Sequence, residues 1–478
     1  MVGGVARLWI AALGVALGSA VGLELRPGWA AAVLGVASLA ALLRRRSRAA
    51  GPCLAAAAFA IAWFGAAMRA PLASPIEALA AGVPRCEIEG DVLERAGGLG
   101  TLVAVEVARC EGHLPVARAG VVALDGETMD AGSAVWAEGW LLPLSKDGFG
   151  QARRRLGAGA ELDAGEVSTR PPRAGLLAIA SSLRSGLARA GRRLEPGRAA
   201  LLRGLAIGDT SALEAALVAD FRRAGLSHLL AVSGSNVAIV LGAVALALGR
   251  LRLEVRIAGA LAALVLFVAV VGPEPSVLRA AAMGTLGLVA LVAGRRAEPL
   301  HGLAIALIAV VGLRPGLVAS VGLHLSAAAT AGIVLWARPL ATRLALVPRP
   351  VALGLGATLA AQLAVAPLVV ATFGELSVAG PVANLLAMPA VPPATIAGLA
   401  AALAGALYEP AGGLVAKVGE PFVAWILWVG THLGRAPWAS VELPAWSGWL
   451  AGAPLLAGAL RSAARRGAPR SGLWGPVA

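Results

Sequence analysis

Long apolar runs separated by short charged loops dominate this sequence. Most of these runs approach the roughly 20 residues that an α-helix needs to cross a bilayer. The candidate spans lie at about residues 8–24, 29–43, 53–70, 228–249, 257–272, 277–293, 300–313, 317–337, 351–372, 389–407, 420–434 and 446–460. The pattern predicts a polytopic α-helical membrane protein. Residues 374–388 are broken by Gly380-Pro381, which is typical of a re-entrant piece.

A polar segment at residues 83–172 interrupts this pattern. Short apolar runs such as TLVAVEVARC and GVVALDG alternate there with turns, and Gly97-Gly98 and Asp125-Gly126 mark breaks between them. About five strands in ninety residues predict a small, OB-like β-barrel in the amino-terminal part of the chain.

Residues 174–226 form a basic connector between the polar segment and the later spans. At 100° per residue, apolar side chains share one face. They are Leu176, Ala180, Leu183, Leu187 and Leu194. We therefore expect an interfacial helix on the outer membrane surface. A second helix over residues 211–224 follows, with Ser211 and Glu214 as a capping box.

The composition agrees with a membrane protein. Hydrophobic residues make up 58% of the chain, charged residues 14%, and the mean hydropathy is +0.79. Soluble domains hold about 25% charged residues. The net charge of +14 comes from the chain outside residues 83–172, which are themselves acidic. The basic surplus fits the positive-inside rule or affinity for nucleic acid, and net charge alone does not separate these explanations.

Basic loops also predict the orientation. Arginines at positions 44–46 and 48 separate the second and third spans and place that loop in the cytoplasm. The amino terminus is then cytoplasmic, and residues 83–172 are extracytoplasmic. The predicted domains are transmembrane helices at 1–72, the β domain at 83–172, the connector at 174–226, a transmembrane channel domain at 227–462 and a basic tail at 463–478.

The three cysteines separate into two kinds. Cys53 lies in an apolar run and is expected only to pack. Cys86 and Cys110 lie in the polar segment near predicted strands, where a disulfide is possible if the segment is extracytoplasmic. Sequence alone does not show whether the two side chains meet.

Polar side chains within the apolar half mark the candidate functional positions, because they are costly at membrane depth. The polar positions are Asp209, His228, Ser233, Ser235, Asn236, Ser276, Arg279, His324, Ser326, Gln362 and Asn384. Gly234 is added to them because a glycine would let a backbone approach closely or break the helix. Each has a structural explanation as well. The hydroxyls and amides can bond between helices, Asp209 can charge a helix start, and Arg279 can extend to the interface.

Four ordered motifs in residues 170–410 resemble the ComEC family of competence proteins. Gly208-Asp209 and Phe221 precede GLSHLLAVSG at 225–234, and PSVLRA at 275–280 matches the family's Pro-Ser-x-x-Arg-Ala. A Gly-Phe-x-Leu-Ser segment is matched at 322–326 except for Leu323, and the amides lie in Ala-Gln-x-x-x-x-Pro and Ala-Asn-Leu-Leu segments. Ser235 and Asn236 stand where the family usually has Leu-His.

The resemblance implies a channel in the inner (plasma) membrane that imports single-stranded DNA during natural transformation. The candidate positions above would line the path of the strand. Six connector arginines would contact DNA or anionic lipid: Arg184, Arg189, Arg192, Arg193, Arg222 and Arg223. The resemblance also implies partners, namely cytoplasmic membrane lipids, a DNA receptor and further copies of the chain in a homo-oligomer.

The sequence carries no motif for an enzyme, metal or cofactor. It holds no His-x-His-x-Asp-His cluster of a metallo-β-lactamase-like nuclease, which many relatives carry after the channel, and no Walker A loop. We therefore expect no cofactor, and a separate nuclease and helicase-type motor.

Two other function classes remain open. A small-molecule or lipid transporter would also use a broken helix and interior amides. An intramembrane hydrolase built on Ser233 and His228 is disfavoured, because residues five apart on a helix point in different directions and no Gly-x-Ser-x-Gly elbow is present.

Overall fold

The computed structural model describes residues 75–95, 100–124, 129–155, 158–172, 174–230, 234–294, 298–314, 317, 320–344, 346–444 and 446–447. The three predicted spans before residue 72, Ser233, most of the span at 446–460 and the basic tail lie outside these ranges.

The polar segment folds as a curled five-stranded sheet. Its elements are α1 (Pro75–Ala80), β1 (Arg85–Arg95), β2 (Thr101–Cys110), β3 (Val116–Leu124), β4 (Ala134–Pro143), α2 (Gly148–Arg155) and β5 (Ala160–Arg170). The strand order is β1-β2-β3-β5-β4, and β4 pairs again with β1. Pairing is antiparallel except between β3 and β5, which share three parallel residue pairs. The structure thus has a mixed, strongly curled sheet where the sequence predicts a small barrel.

Alternating side chains from all five strands fill the inside of this sheet. Its core includes Ile88, Val103, Val122, Ala137 and Leu162, all fully buried. Cys86 and Cys110 lie directly opposite each other on β1 and β2, and their sulfur atoms form a disulfide. The bond joins two strands that are already paired, so it fixes their register.

Helices form the rest of the described chain. In order they are α3 (Gly175–Gly191), α4 (Pro196–Ile207), α5 (Ala215–Arg223), α6 (Ser227–Leu230), α7 (Gly234–Ala247), α8 (Leu253–Val271), α9 (Pro275–Val292), α10 (Pro299–Leu313), α11 (Val321–Arg343), α12 (Arg349–Phe373), α13 (Gly380–Ala387), α14 (Val391–Leu407) and α15 (Glu409–Gly434). A two-stranded ribbon of β6 (Glu375–Ser377) and β7 (Ser440–Glu442) joins the ends of α12 and α15.

Five of the described helices are long and apolar enough to cross a membrane: α8, α9, α11, α12 and α15. A sixth crossing is possible if α13 and α14, which are bent by 53° at their junction, count as one span. Only 17–39% of the apolar window of each of the five helices is buried inside the protein. Their outward faces therefore remain apolar, as expected of helices that meet lipid.

The connector is part of the helical core, whereas its position relative to the membrane surface stays a prediction. Ala180, Leu187 and Ala190 of α3 are fully buried, and α3 packs along α14 and α15. The expected capping box is wrong. The second helix begins at Ala215 rather than near Ser211, and Glu214 makes no side-chain cap bond.

Glycines allow α3, α14 and α15 to cross at close range. A side-chain carbon at Gly186 of α3 would lie 2.5 Å from both the carbonyl oxygen of Ala402 and the backbone nitrogen of Ala406 on α14. A side-chain carbon at Gly412 of α15 would lie 2.5 Å from the Cα atom of Gly405. Backbone atoms occupy these positions, so a larger residue cannot be accommodated by turning a side chain.

This crossing predicts a position-specific effect of added volume. Gly186→Val should lower the free energy of unfolding by about 3 kcal/mol, because the helices must separate. Gly287→Val on α9 is the matched control, since nothing lies within 4 Å of the added carbon. Thermal unfolding of the purified protein in detergent measures both variants. Equal melting temperatures for the two variants would contradict the crossing.

Candidate functional site

Arg279 is a buried cation between three helices of the apolar domain. It lies on the second turn of α9 and is only 5% exposed. Its Nε atom donates to the hydroxyl of Ser326 on α11 at 3.0 Å, and Nη1 donates to the sulfur of Met283 at 3.2 Å. We call Gly234, Arg279, Met283 and Ser326 the Arg279 cluster.

The first residue of α7 lies against the guanidinium. A side-chain carbon at Gly234 would be 2.7 Å from Nη2 of Arg279, so the arginine extends into the space that glycine leaves. Among the described residues no carboxylate lies within 4.0 Å of this guanidinium. A hydroxyl and a thioether are neutral and the thioether is a weak acceptor, so they leave the charge of Arg279 uncompensated.

The two predicted amides meet at another place, which we call the amide junction (Gly225, Gln362, Ser377, Gly380 and Asn384). Gln362 donates to the carbonyl of Ser377 at 2.5 Å, and Asn384 donates to the carbonyl of Gly380 at 2.9 Å. Gly225 has φ +70° and contacts Ser377 and Gly380, so the turn after α5 needs a glycine. Both amides are therefore satisfied by backbone carbonyls of the protein.

The other polar positions of the long motif have separate locations. Asn236 is 3% exposed and donates to the carbonyl of Leu205 at 2.8 Å, which ties α7 to α4. Ser235 lies beside it. Asp209 accepts from the backbone nitrogen and the hydroxyl of Ser211, and it faces Arg203 at 3.7 Å. Asp209 thus stabilises a turn, and Asn236 forms a hydrogen bond between two helices.

The two histidines and Ser276 lie outside the Arg279 cluster, although His228 bonds to the backbone of Gly225 at the edge of the amide junction. His228 and His324 are exposed, so neither joins the Arg279 cluster although His324 is two residues from Ser326. Ser276 is half-buried and lies one turn before Arg279 on α9. The structure thus brings Gly234, Arg279 and Ser326 together from three predicted motifs.

The six connector arginines do not form one basic surface. Arg184 is buried and held by the carboxylate of Asp130 at 2.7 Å and the carbonyl of Val270 at 2.8 Å, while Arg189 donates to the carbonyl of Gly405 at 3.0 Å. Arg184 thus bonds the β domain to α8, and Arg189 bonds α3 to α14. The prediction that Arg184 contacts DNA or lipid is wrong, because its guanidinium is enclosed.

The remaining four arginines lie near opposite ends of α15. Exposed Arg192 and Arg193 lie beside Glu409 and Gly413, at the start of this helix. Arg222 and Arg223 lie beyond its other end, next to a cavity of 730 Å³ whose lining also includes Phe373, Gly374, Glu375 and Glu442. From Gly413 to Gly434 the helix rises about 32 Å, so the two pairs are separate.

Asp220 is a buried acid that the sequence analysis did not select. It is 3% exposed and accepts from Arg223 at 2.6 Å and from Arg435 at 2.8 Å, which joins α5 to the end of α15. Burial raises the pKa of Asp220, but the two arginines outweigh it, and the net pKa is lowered. The sequence signal for this burial is the position of the acid next to Phe221, which lies on the apolar side of the helix.

The class of protein follows from these features. Apolar helices with apolar outer faces, joined to a disulfide-bonded β domain, define a multi-pass membrane-type protein. Within the described ranges no group of three His, Cys, Asp or Glu side chains could hold a metal ion.

Comparison with known proteins identifies the family. The family model described as competence protein matches residues 205–464, which is more than half of the chain. The chain belongs to the competence protein family. No curated protein and no solved structure gives a significant match.

The ion pairs of Asp220 predict a pH-dependent stability. A carboxylate with a lowered pKa stabilises the fold fully above its unfolded pKa of about 4, and this contribution is lost as the pH falls through the folded pKa. Asp220→Asn should therefore lower the free energy of unfolding by about 1–2 kcal/mol at neutral pH, and this difference should shrink as the pH falls below about 4.

Thermal unfolding between neutral and acidic pH measures this difference. Glu214→Gln removes an exposed acid from the start of the same helix and should show no such trend. A constant difference between wild type and Asp220→Asn across the pH range would contradict the role of the charge.

Proposed function

We propose that this protein is the membrane channel through which single-stranded DNA enters the cell during natural transformation. The observation that carries the proposal is the competence family match over residues 205–464, which includes α5 to α15 and every cluster described above. A nucleic acid strand is a polyanion, so its route through a membrane needs protein-lined polar surfaces and cations.

The location we propose is the cytoplasmic membrane, with the β domain outside the cytoplasm. Disulfides persist in oxidising compartments, so the Cys86–Cys110 bond supports an extracytoplasmic β domain. Five strands in a curled sheet with one short parallel join fit the partly open OB-like architecture. The exposed cations Arg192 and Arg193 offer phosphate contacts near the same end of the helical domain as Arg184, which holds the β domain.

The protein would act as a passive conduit rather than as an enzyme. We propose that a separate nuclease degrades the strand that stays outside, that a receptor delivers DNA and that a helicase-type motor pulls the strand. Cytoplasmic membrane lipids surround the helices, and association with further copies of the chain is part of the same proposal.

A small-molecule or lipid transporter is the second candidate. The 53° bend between α13 and α14 favours it, because broken helices form the binding sites of many transporters. Gln362 and Asn384 are bonded to backbone carbonyls at the start of α13, before the bend, and this favours a structural junction over an open binding site.

DNA uptake into living cells tests the proposal. Cells that lack the gene should gain no nuclease-protected labelled DNA, and the wild-type chain should restore uptake. Arg192→Gln with Arg193→Gln should reduce uptake several-fold and weaken its dependence on salt, because each lost phosphate contact lowers the salt slope by about 1. Membrane abundance is measured for every variant.

Arg250→Gln with Arg252→Gln is the matched control, since it removes two exposed arginines at the turn between α7 and α8. Normal DNA uptake in cells without the gene would overturn the proposal. Normal uptake with defective export or import of a small solute would favour the transporter instead.

Thiol labelling tests the proposed orientation of the β domain. Protein taken directly from cells under non-reducing conditions should expose one thiol out of three to a maleimide after denaturation, because only Cys53 is outside the disulfide. Reduction should raise the number to three. Three labelled thiols before reduction would place the β domain in a reducing compartment.

A further inference from the structure

The cavity of 730 Å³ lies where two candidate membrane spans end. Its lining includes Phe373, the last residue of α12, and both strands of the β6–β7 ribbon, which joins this end of α12 to the end of α15. Both helices are long and apolar enough to cross a membrane. If they cross, the cavity lies at the level of the lipid headgroups. All of its lining residues belong to the described part of the chain.

Aromatic side chains on the outside of α15 mark the same level. In the last three turns of this helix, Trp425 and Trp428 stack with ring centroids 5.3 Å apart, and the ring of His432 follows at 4.5 Å. Trp438, just after the helix, is 52% exposed. Tryptophan is enriched at membrane–water interfaces, because its amphipathic ring is stable at headgroup depth. This belt is an observation that does not depend on helix length.

The cavity carries charges of both signs that do not pair with each other. Its lining includes Arg222 and Arg223 of α5, Glu375 of β6 and Glu442 of β7. Arg223 also holds Asp220. The other three have no ion-pair partner within 4.0 Å in the described part of the chain. The cavity therefore offers both a cation and two carboxylates to a bound molecule.

The two glutamates are directly opposite each other on the ribbon. Glu375 of β6 pairs with Glu442 of β7 in the antiparallel register. Like charges at such a position are destabilising, because the side chains of opposite residues lie close together. A cation bound by the two carboxylates would offset this repulsion. The occupant that fits best therefore carries a positive group for the ribbon and a negative group for Arg222.

We propose that this cavity binds the zwitterionic headgroup of an aminophospholipid, of which phosphatidylethanolamine is the simplest. Its phosphate accepts from Arg222, because the planar fork of arginine donors fits two phosphate oxygens. Its ammonium carries three N–H donors and bonds to Glu375 and Glu442. Apolar atoms of Phe373 and Leu443 contact the glycerol end of the lipid. The volume is within the range of ligand pockets, about 300–1,000 Å³.

A nucleic acid strand fits the same cavity less well. Its phosphates are negative and it has no primary ammonium, so Glu375 and Glu442 would repel it. The lipid site goes beyond the function proposed above and does not depend on it. Failure of either proposal leaves the other standing.

Thermal unfolding of the purified full chain in detergent tests the site with short-chain phospholipids. Dihexanoyl-phosphatidylethanolamine should raise the melting temperature by roughly 2–4 °C at saturation. Phosphatidylcholine and phosphatidylglycerol with the same chains should raise it less, because the first headgroup has no N–H donor and the second has no cation. Equal shifts with all three lipids, or no shift with any of them, would overturn the site.

A paired substitution tests the role of the glutamates. Glu375→Gln with Glu442→Gln should reduce the phosphatidylethanolamine shift to that of phosphatidylglycerol. Without lipid this variant should be at least as stable as the wild type, because the repulsion across the ribbon is gone. The matched control, Glu214→Gln with Glu254→Gln, removes two exposed acids outside the cavity lining and should keep the full preference. A preference that survives loss of both ribbon glutamates would refute the site.

Arg222→Met tests the phosphate contact. It should reduce the shifts with phosphatidylethanolamine and phosphatidylglycerol alike, because the two lipids share the phosphodiester. Arg192→Met, which removes an exposed arginine near the start of α15, should leave both shifts unchanged. A short oligothymidylate offers phosphodiesters without an ammonium. A larger shift with this strand than with phosphatidylethanolamine would assign the cavity to nucleic acid and rule out the lipid.

Discussion

The cost of burying charge in an apolar helical domain governs the arrangement of this protein. Arg184 is enclosed between the β domain and α8, with an acid from one and a carbonyl from the other. Asp220 is enclosed between α5 and α15, with two arginines as partners. In both cases the ion pair joins two packed elements, and loss of either partner would leave a buried charge without compensation. Arg279 is the exception, since its partners are neutral.

Pairs of this kind also explain how the β domain is attached. Ser181 and Arg184 of α3 both bond to Asp130, a residue just before β4, and Arg184 continues to the last turn of α8. One arginine thus connects a sheet edge, a connector helix and a long apolar helix. The disulfide fixes the β1–β2 register within the sheet, but it does not contribute to this junction. The orientation of the β domain therefore depends in part on the polar bonds that Asp130 accepts from α3.

The sequence predicts the features that depend on local pattern. It does not predict those that depend on which residues meet in the folded protein. The period-2 runs at 83–172 and the long apolar runs correspond to strands and helices of the expected kind. The packing of the connector is not predictable from local pattern, because Arg184 and Arg189 reach an acid and carbonyls that are far away in the sequence. Gly234, Arg279 and Ser326 were each selected from separate motifs, but only tertiary structure shows that they meet.

Helix α15 carries a consequence for the orientation of the whole chain. Arg193 contacts Gly413 near its start, and Asp220 contacts Gly434 at its end, about 32 Å further along the helix axis. This length matches the roughly 30 Å apolar core of a bilayer. If α15 crosses the membrane, the chain between Arg193 and Asp220 therefore crosses with it, although α4 and α5 are each too short to be recognised as a span. The count of apolar runs in the sequence does not include this crossing. A crossing here reverses the side of the membrane on which every later loop lies, so the orientation of the later helices depends on how the connector packs along α15.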